Sequence, residues 1–124
     1  MTARITPLDP ARAEGKAKEL LAAVQSKLGK TPKIMRALAQ SPAVLEGYLN
    51  LSGALSKGTL GAKLGEQLAL TIGEANDCEY CLAAHTAIGG MVGLPADEVN
   101  AARQAESADS GAAAALQFAN AIVR

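Results

Sequence analysis

The sequence has few aromatic residues, no tryptophan and no excess of charge of either sign. Its aromatic side chains are Tyr48, Tyr80 and Phe118, which is too few for the stacking platforms that bind single-stranded nucleic acid. Lys plus Arg number 12, and so do Asp plus Glu, so the formal net charge is zero. The chain therefore lacks both a basic footprint for nucleic acid and a polybasic membrane anchor, and we expect it to bind neither.

Long apolar runs are also missing from the chain. No segment approaches the ~20 apolar residues of a membrane span. The first ten residues lack the basic region and apolar stretch of a signal peptide, so we expect a cytoplasmic protein. With 124 residues, of which 49% are hydrophobic, the chain is too apolar to be disordered, and we expect residues 1–124 to form a single domain.

Alanine and leucine dominate what is present, with 27 and 16 residues. Both are strong helix formers, and no run alternates apolar and polar residues as a strand does. The sequence therefore predicts an all-α fold, a bundle of six to seven helices. A core so poor in large side chains also favours oligomers. The predicted helices run from Pro10 to Leu28, from Pro32 through Leu38, from Pro42 to about Ser56, from about Leu60 to Ala75, from Cys78 to about Met91, from Pro95, and from Ser110 to the end.

Residues that typically begin or end helices support these boundaries. Asp9 and Asp109 are expected to be N-caps, and Gly29 a C-cap. The last predicted helix reaches Arg124 without a stop signal, which is typical either of a frayed end or of truncation at the C-terminus. The Lys and Arg residues are scattered along the chain and indicate solvated faces.

A cysteine pair is the feature most informative about chemistry. Cys78 and Cys81 form a C-x2-C motif, and His85 follows one turn later. On a helix these three side chains fall within an arc of roughly 60°, so they share one face. Two thiols at this spacing can form a disulfide with modest adjustment. In a reducing compartment such a pair indicates redox chemistry or metal binding rather than a structural bridge.

The surroundings of the pair suggest how it would be activated. Asn76 and Asp77 are expected to cap the helix and to place Cys78 in its first turn, where the helix N-terminus stabilises a thiolate. His85 is the single histidine of the chain and can exchange a proton with Cys81. Glu66 lies on the preceding helix, and an antiparallel helix pair would bring it to the cysteines as a base.

Other interpretations of these residues stay open. The two thiols could be buried and inert, and Glu66 could be a solvated helix carboxylate. A haem attachment motif is excluded because Leu82 follows the second cysteine. A zinc site is possible on ligand type. Its ligands would be Cys78, Cys81, His85 and Glu66.

The complete spacing, E-x11-C-x2-C-x3-H from Glu66 to His85, resembles the active-site signature of the alkylhydroperoxidase D group in the carboxymuconolactone decarboxylase-like superfamily. The neighbouring segments 74–76 and 83–86 and the helix start at 41–45 resemble that group as well. The similarity covers roughly residues 20–103. In the best-known members a histidine precedes the second cysteine, whereas this chain has Tyr80 at that position. From the sequence we interpret Tyr80 as a packing or rim residue rather than a catalytic one.

The resemblance implies a thiol-dependent peroxidase that assembles as a homotrimer or homohexamer. Such enzymes reduce organic hydroperoxides while their cysteines cycle between dithiol and disulfide, and a lipoamide- or thioredoxin-like dithiol donor re-reduces them. No metal, haem or flavin cofactor is implied. Glu66 would be the base at the head of a proton relay, His85 would continue the relay through a water, and Cys78 and Cys81 would be the redox pair.

Two questions stay open at this point. Helix position favours Cys78 as the attacking sulfur, whereas the resemblance favours Cys81 with Cys78 resolving, and we take Cys81. The alternative functions are a carboxymuconolactone decarboxylase-type or lactone-processing enzyme and a non-enzymatic redox-sensing or interaction module.

Overall fold

The structure, a computed structural model, describes residues 3–124. Within that range the chain forms seven α-helices and a short 3-10 helix at Pro10–Arg12, and no strand. This confirms the predicted all-α fold. Within these residues, no helix combines the length and the hydrophobicity that a membrane span requires. The α-helices are α1 (Gly15–Leu28), α2 (Lys33–Leu38), α3 (Pro42–Leu55), α4 (Gly61–Ala75), α5 (Glu79–Met91), α6 (Ala96–Arg103) and α7 (Ser110–Val123).

The helices fall into two compact units, of which the first contains α1, α2 and α3 and extends to Leu55. Its core is built around the buried side chains of Leu21 and Leu45. The sequence analysis placed Arg36 on a solvated face, but its side chain also makes a hydrogen bond within the protein. Its Nε donates to the carbonyl oxygen of Leu8 at 2.8 Å and so holds the segment that precedes α1.

The first predicted helix, Pro10 to Leu28, is in fact divided. Asp9 caps the 3-10 helix as expected, since its Oδ1 accepts the N–H of Ala11 at 3.0 Å. The backbone then becomes extended at Ala13, whose side chain is buried, and α1 begins only at Gly15, where φ is +56°. The extended backbone at Ala13 and the left-handed conformation of Gly15 therefore separate the two helices. At the other end of α1, the predicted C-cap Gly29 has φ +72°.

The second unit, Ser56–Arg124, is organised around α4, against which α5, α6 and α7 pack. Leu70 of α4 and Leu116 of α7 are fully buried in its core. The buried Thr71 hydroxyl donates to the carbonyl oxygen of Ala102 at 2.6 Å and so joins α4 to α6. Asp109 caps α7 as predicted.

Helix α4 ends in a Schellman motif that leads directly into α5. The N–H of Cys78 donates to the Gly73 carbonyl at 2.9 Å, and the N–H of Asp77 donates to the Glu74 carbonyl at 3.1 Å. The motif requires a left-handed residue after the C-cap, and Asp77 takes that role with φ +49°. The connection between the two helices is therefore only three residues long, from Asn76 to Cys78.

Candidate redox site

Cys78 occupies the N-cap of α5 rather than its first turn. Asn76 and Asp77 terminate α4 after Ala75 as expected, but they do not cap α5. The sulfur of Cys78 accepts the N–H of Cys81 at 3.2 Å. The prediction of its place was therefore wrong by one residue, yet the sulfur still receives a hydrogen bond from the N-terminus of the helix.

Cys78 and Cys81 are joined by a disulfide, with 5.2 Å between their Cα atoms. This separation lies within the ordinary range for disulfides. Both side chains are half-buried. The expectation that a C-x2-C pair on this helix could bridge is confirmed, and the pair is in its oxidised form.

Gly73 allows α4 to approach the disulfide closely. A Cβ atom at this position would lie 3.4 Å from Cys81 Cβ and 3.4 Å from Leu82 Cδ2. Residue 73 of α4 therefore faces residues 81 and 82 of α5, whereas Glu66, nearer the start of α4, faces His85. The two helices thus run antiparallel, which is the arrangement that brings Glu66 to the helix of the cysteines.

Glu66 and His85 form a direct hydrogen bond across the two helices. The Nδ1 atom of His85 lies 2.7 Å from Oε2 of Glu66, and their side chains are 34% and 19% exposed. An ionised carboxylate only accepts hydrogen bonds, so it fixes the imidazole with Nδ1 as the donor and leaves Nε2 to exchange a proton. Such a carboxylate–imidazole pair can act as an acid–base relay.

The four residues singled out in the sequence thus lie on one pair of helices. The disulfide is at the N-terminus of α5, and the Glu66–His85 pair lies one turn beyond Cys81. Within residues 3–124, no group of three or more His, Cys, Asp or Glu side chains is arranged to hold a metal ion.

An ion pair that the sequence did not predict stabilises the C-terminal end of α4. Arg103 Nε donates to Glu74 Oε2 at 2.7 Å, across the contact between α4 and α6. The two residues are 29 positions apart, so no local spacing reveals the pair. The bond supports the turn that carries Cys78.

A comparison with protein families adds to this geometry. The sequence model of the carboxymuconolactone decarboxylase family matches residues 42–123. The chain belongs to this family. The matched region runs from α3 into α7 and contains all four candidate residues, so the superfamily indicated by the motif is confirmed. Searches of curated proteins and of solved structures gave no match.

Proposed function

We propose that this member of the family is a thiol-dependent peroxidase that reduces organic hydroperoxides. The observation that carries the proposal is the Cys78–Cys81 disulfide, which lies one turn from the hydrogen-bonded Glu66–His85 pair. A peroxidase of this type needs a thiolate, a second thiol and a route for a proton. The helix pair supplies all three.

In the first half-reaction, Cys81 is the attacking thiol because it lies one turn before His85. The imidazole, oriented by Glu66, takes the thiol proton through a water. The thiolate attacks the terminal oxygen of the hydroperoxide, the O–O bond breaks, and the departing alkoxide takes up a proton to become the alcohol. Cys81 is thereby oxidised to a sulfenic acid.

In the second half-reaction, Cys78 resolves the sulfenic acid. Its sulfur accepts the N–H of Cys81, so its thiolate is stabilised at the N-cap. That thiolate attacks the sulfur of Cys81, the S–S bond forms, and the hydroxyl group leaves as water. A lipoamide- or thioredoxin-like dithiol then returns two electrons and is itself oxidised to a disulfide. This cycle needs no metal, haem or flavin, and we place it in the cytoplasm.

The proposal includes assembly of the chain as a homotrimer or homohexamer. Helix α3 carries four exposed apolar side chains at intervals of four, three and four residues, which places them on one face of the helix. A contiguous apolar face of this kind is typical of interfaces between protein chains. The four residues are Val44 (52% exposed), Tyr48 (45%), Leu51 (62%) and Leu55 (70%).

The peroxidase proposal is tested by counting thiols. Fully reduced protein is treated with one equivalent of tert-butyl hydroperoxide, and free thiols are titrated before and after. We expect the count to fall from two to none, to return with dihydrolipoamide, and to cycle when peroxide and dithiol are both in excess. Two thiols that persist after treatment would contradict the proposal.

The family match itself favours a second candidate, a carboxymuconolactone decarboxylase-type reaction. Such a reaction does not need a dithiol, so replacing both cysteines by serine separates the candidates. A peroxidase loses all turnover in this variant, whereas a decarboxylase keeps it. A non-enzymatic redox module would instead change its oligomer size on oxidation without consuming peroxide.

A further inference from the structure

A groove of about 490 Å³ lies in the second unit, beside the N-terminal half of α4. Its apolar lining includes Leu60 and Leu64 together with Ala112 at the start of α7. The volume is within the range of small-molecule sites. None of the four redox-site residues lines the groove.

The side chain of Gln67 also lines the groove, and its hydrogen bonding is unusual. Gln67 is only 6% exposed, yet its amide makes no hydrogen bond to any residue between 3 and 124. Every fully buried side-chain nitrogen or oxygen in that range does have a partner. The amide atoms of Gln67 are therefore not fully buried, and Gln67 is one of the residues that line the groove. An amide that makes no hydrogen bond within the protein and lines a groove is free to pair with a molecule bound there.

The charges around the groove restrict the kind of ligand it can hold. Lys63 contributes one positive charge, and Glu98 and Asp109 contribute two negative charges. Asp109 already accepts the N–H of Ala112 as the N-cap of α7, and the charge of Lys63 offsets that of Glu98, so a charged head group finds no unbalanced charge to pair with. An amide both donates and accepts hydrogen bonds, so the best partner for Gln67 is an uncharged group that does the same.

We propose that this groove binds a small aliphatic molecule with an uncharged primary amide or hydroxyl head. The head pairs with the Gln67 amide, and the aliphatic body lies against Leu60, Leu64 and Ala112. Gln67 is displaced by about 100° around α4 from Glu66, so the groove is distinct from the redox site although both use the same helix. This inference does not depend on peroxidase activity.

The test uses four six-carbon probes that differ only in their heads: hexanamide, 1-hexanol, hexanoate and hexylamine. Each is titrated into ¹⁵N-labelled protein and followed by NMR. We expect hexanamide and 1-hexanol to shift the Gln67 side-chain signals and the backbone amides of Leu64 and Ala112. Hexanoate and hexylamine should bind at least tenfold more weakly. Equal effects from all four probes, or shifts confined to other parts of the chain, would overturn the proposal.

A matched pair of variants identifies the residue responsible. Gln67→Leu should weaken hexanamide binding about tenfold, the effect of one or two lost hydrogen bonds. Gln117→Leu, the same change at an exposed site on α7, should leave binding unaltered. The melting temperature of Gln67→Leu should equal or exceed that of the wild type, because the substitution removes no hydrogen bond within residues 3–124 and adds apolar surface at a mostly buried position. A clear loss of stability, or unchanged hexanamide binding in a folded Gln67→Leu protein, would refute a ligand-binding role for Gln67.

Discussion

Glu66 and His85 are the residues whose substitution most directly tests the proton relay. Glu66→Gln keeps the shape of the side chain but cannot take up a proton, and His85→Gln removes the imidazole. Each should slow peroxide turnover by about 10- to 10⁴-fold, the effect of losing an acid–base group or more. The measurement is kcat/KM for tert-butyl hydroperoxide with dihydrolipoamide as donor. Glu106→Gln, the same change at an exposed site, is the control and should be fully active. Unchanged turnover in both relay variants would exclude the relay.

The two cysteines can be distinguished by trapping the sulfenic acid with dimedone in single variants. Cys78→Ser retains the proposed attacking thiol and should form a trapped sulfenic acid at the wild-type rate. Cys81→Ser retains only the N-cap thiol, which has no histidine one turn away, and should react at least tenfold more slowly. Sulfenic acid formed on Cys78 at the wild-type rate in Cys81→Ser would reverse the assignment.

The turn between α4 and α5 positions Cys78. Its left-handed residue, Asp77, is a source of backbone strain, and that strain can be tested. An L-residue in this conformation costs roughly 1–2 kcal/mol, less for aspartate, and the flexibility of glycine in the unfolded chain offsets part of any gain. Asp77→Gly should therefore raise the free energy of unfolding by about 0.5 kcal/mol. Asp97→Gly, an exposed site within α6, should lower it by a similar amount. Urea denaturation measures both, and destabilisation of equal size in the two variants would contradict the assigned strain.

The contact between α4 and α6 depends on the buried hydroxyl of Thr71. Thr71→Val keeps the shape but loses the hydrogen bond to the Ala102 carbonyl, which still accepts the N–H of Ala105 at 3.0 Å. The loss should be about 1 kcal/mol, because no acceptor is left wholly unpaired. Thr86→Val, at an exposed site on α5, should change the unfolding free energy by less than about 0.5 kcal/mol. An equal effect at both sites in urea denaturation would argue against the contact.

The sequence predicted those helix boundaries that local signals determine. Pro42 at the start of α3 and the Asp109 cap of α7 are examples, because each acts through its immediate neighbours. The left-handed turn at Asp77 was missed because no glycine marks it. The division of the first helix was missed because Gly15, where φ is +56°, was predicted to lie inside a single helix.

At the site, helical periodicity related Cys78, Cys81 and His85, whereas Glu66 was selected through the resemblance of the complete motif to a known family. The contacts between these residues could not be predicted from the sequence. The Glu66–His85 bond joins two helices whose relative orientation depends on the intervening turn. Gln67 carried no sequence signal, because the lack of a partner for a glutamine is visible only in the folded protein.

Assembly is a property of the whole molecule, and the exposed face of α3 allows it to be tested. Leu51→Glu places a charge in the centre of that face without disturbing a buried side chain, since Leu51 is 62% exposed. Light scattering should show the wild type as a trimer or hexamer and the variant as a smaller species. Ile5→Glu, an equally exposed apolar position (62%) outside the helix, should keep the wild-type mass. A wild-type mass equal to that of one chain would contradict the proposed assembly.

The short connection between α4 and α5 limits the insertions and deletions that this fold can accommodate. Asn76, Asp77 and Cys78 each have a role in ending one helix or starting the next, so the connection contains no spare residue. Inserting or deleting one residue within α5 before His85 would rotate the imidazole by about 100° around the helix and remove it from Glu66. We therefore expect the interval from the glutamate to the histidine to tolerate substitutions but no change in length. The spacing of the motif is thus a property of the backbone as much as of the chemistry that it supports.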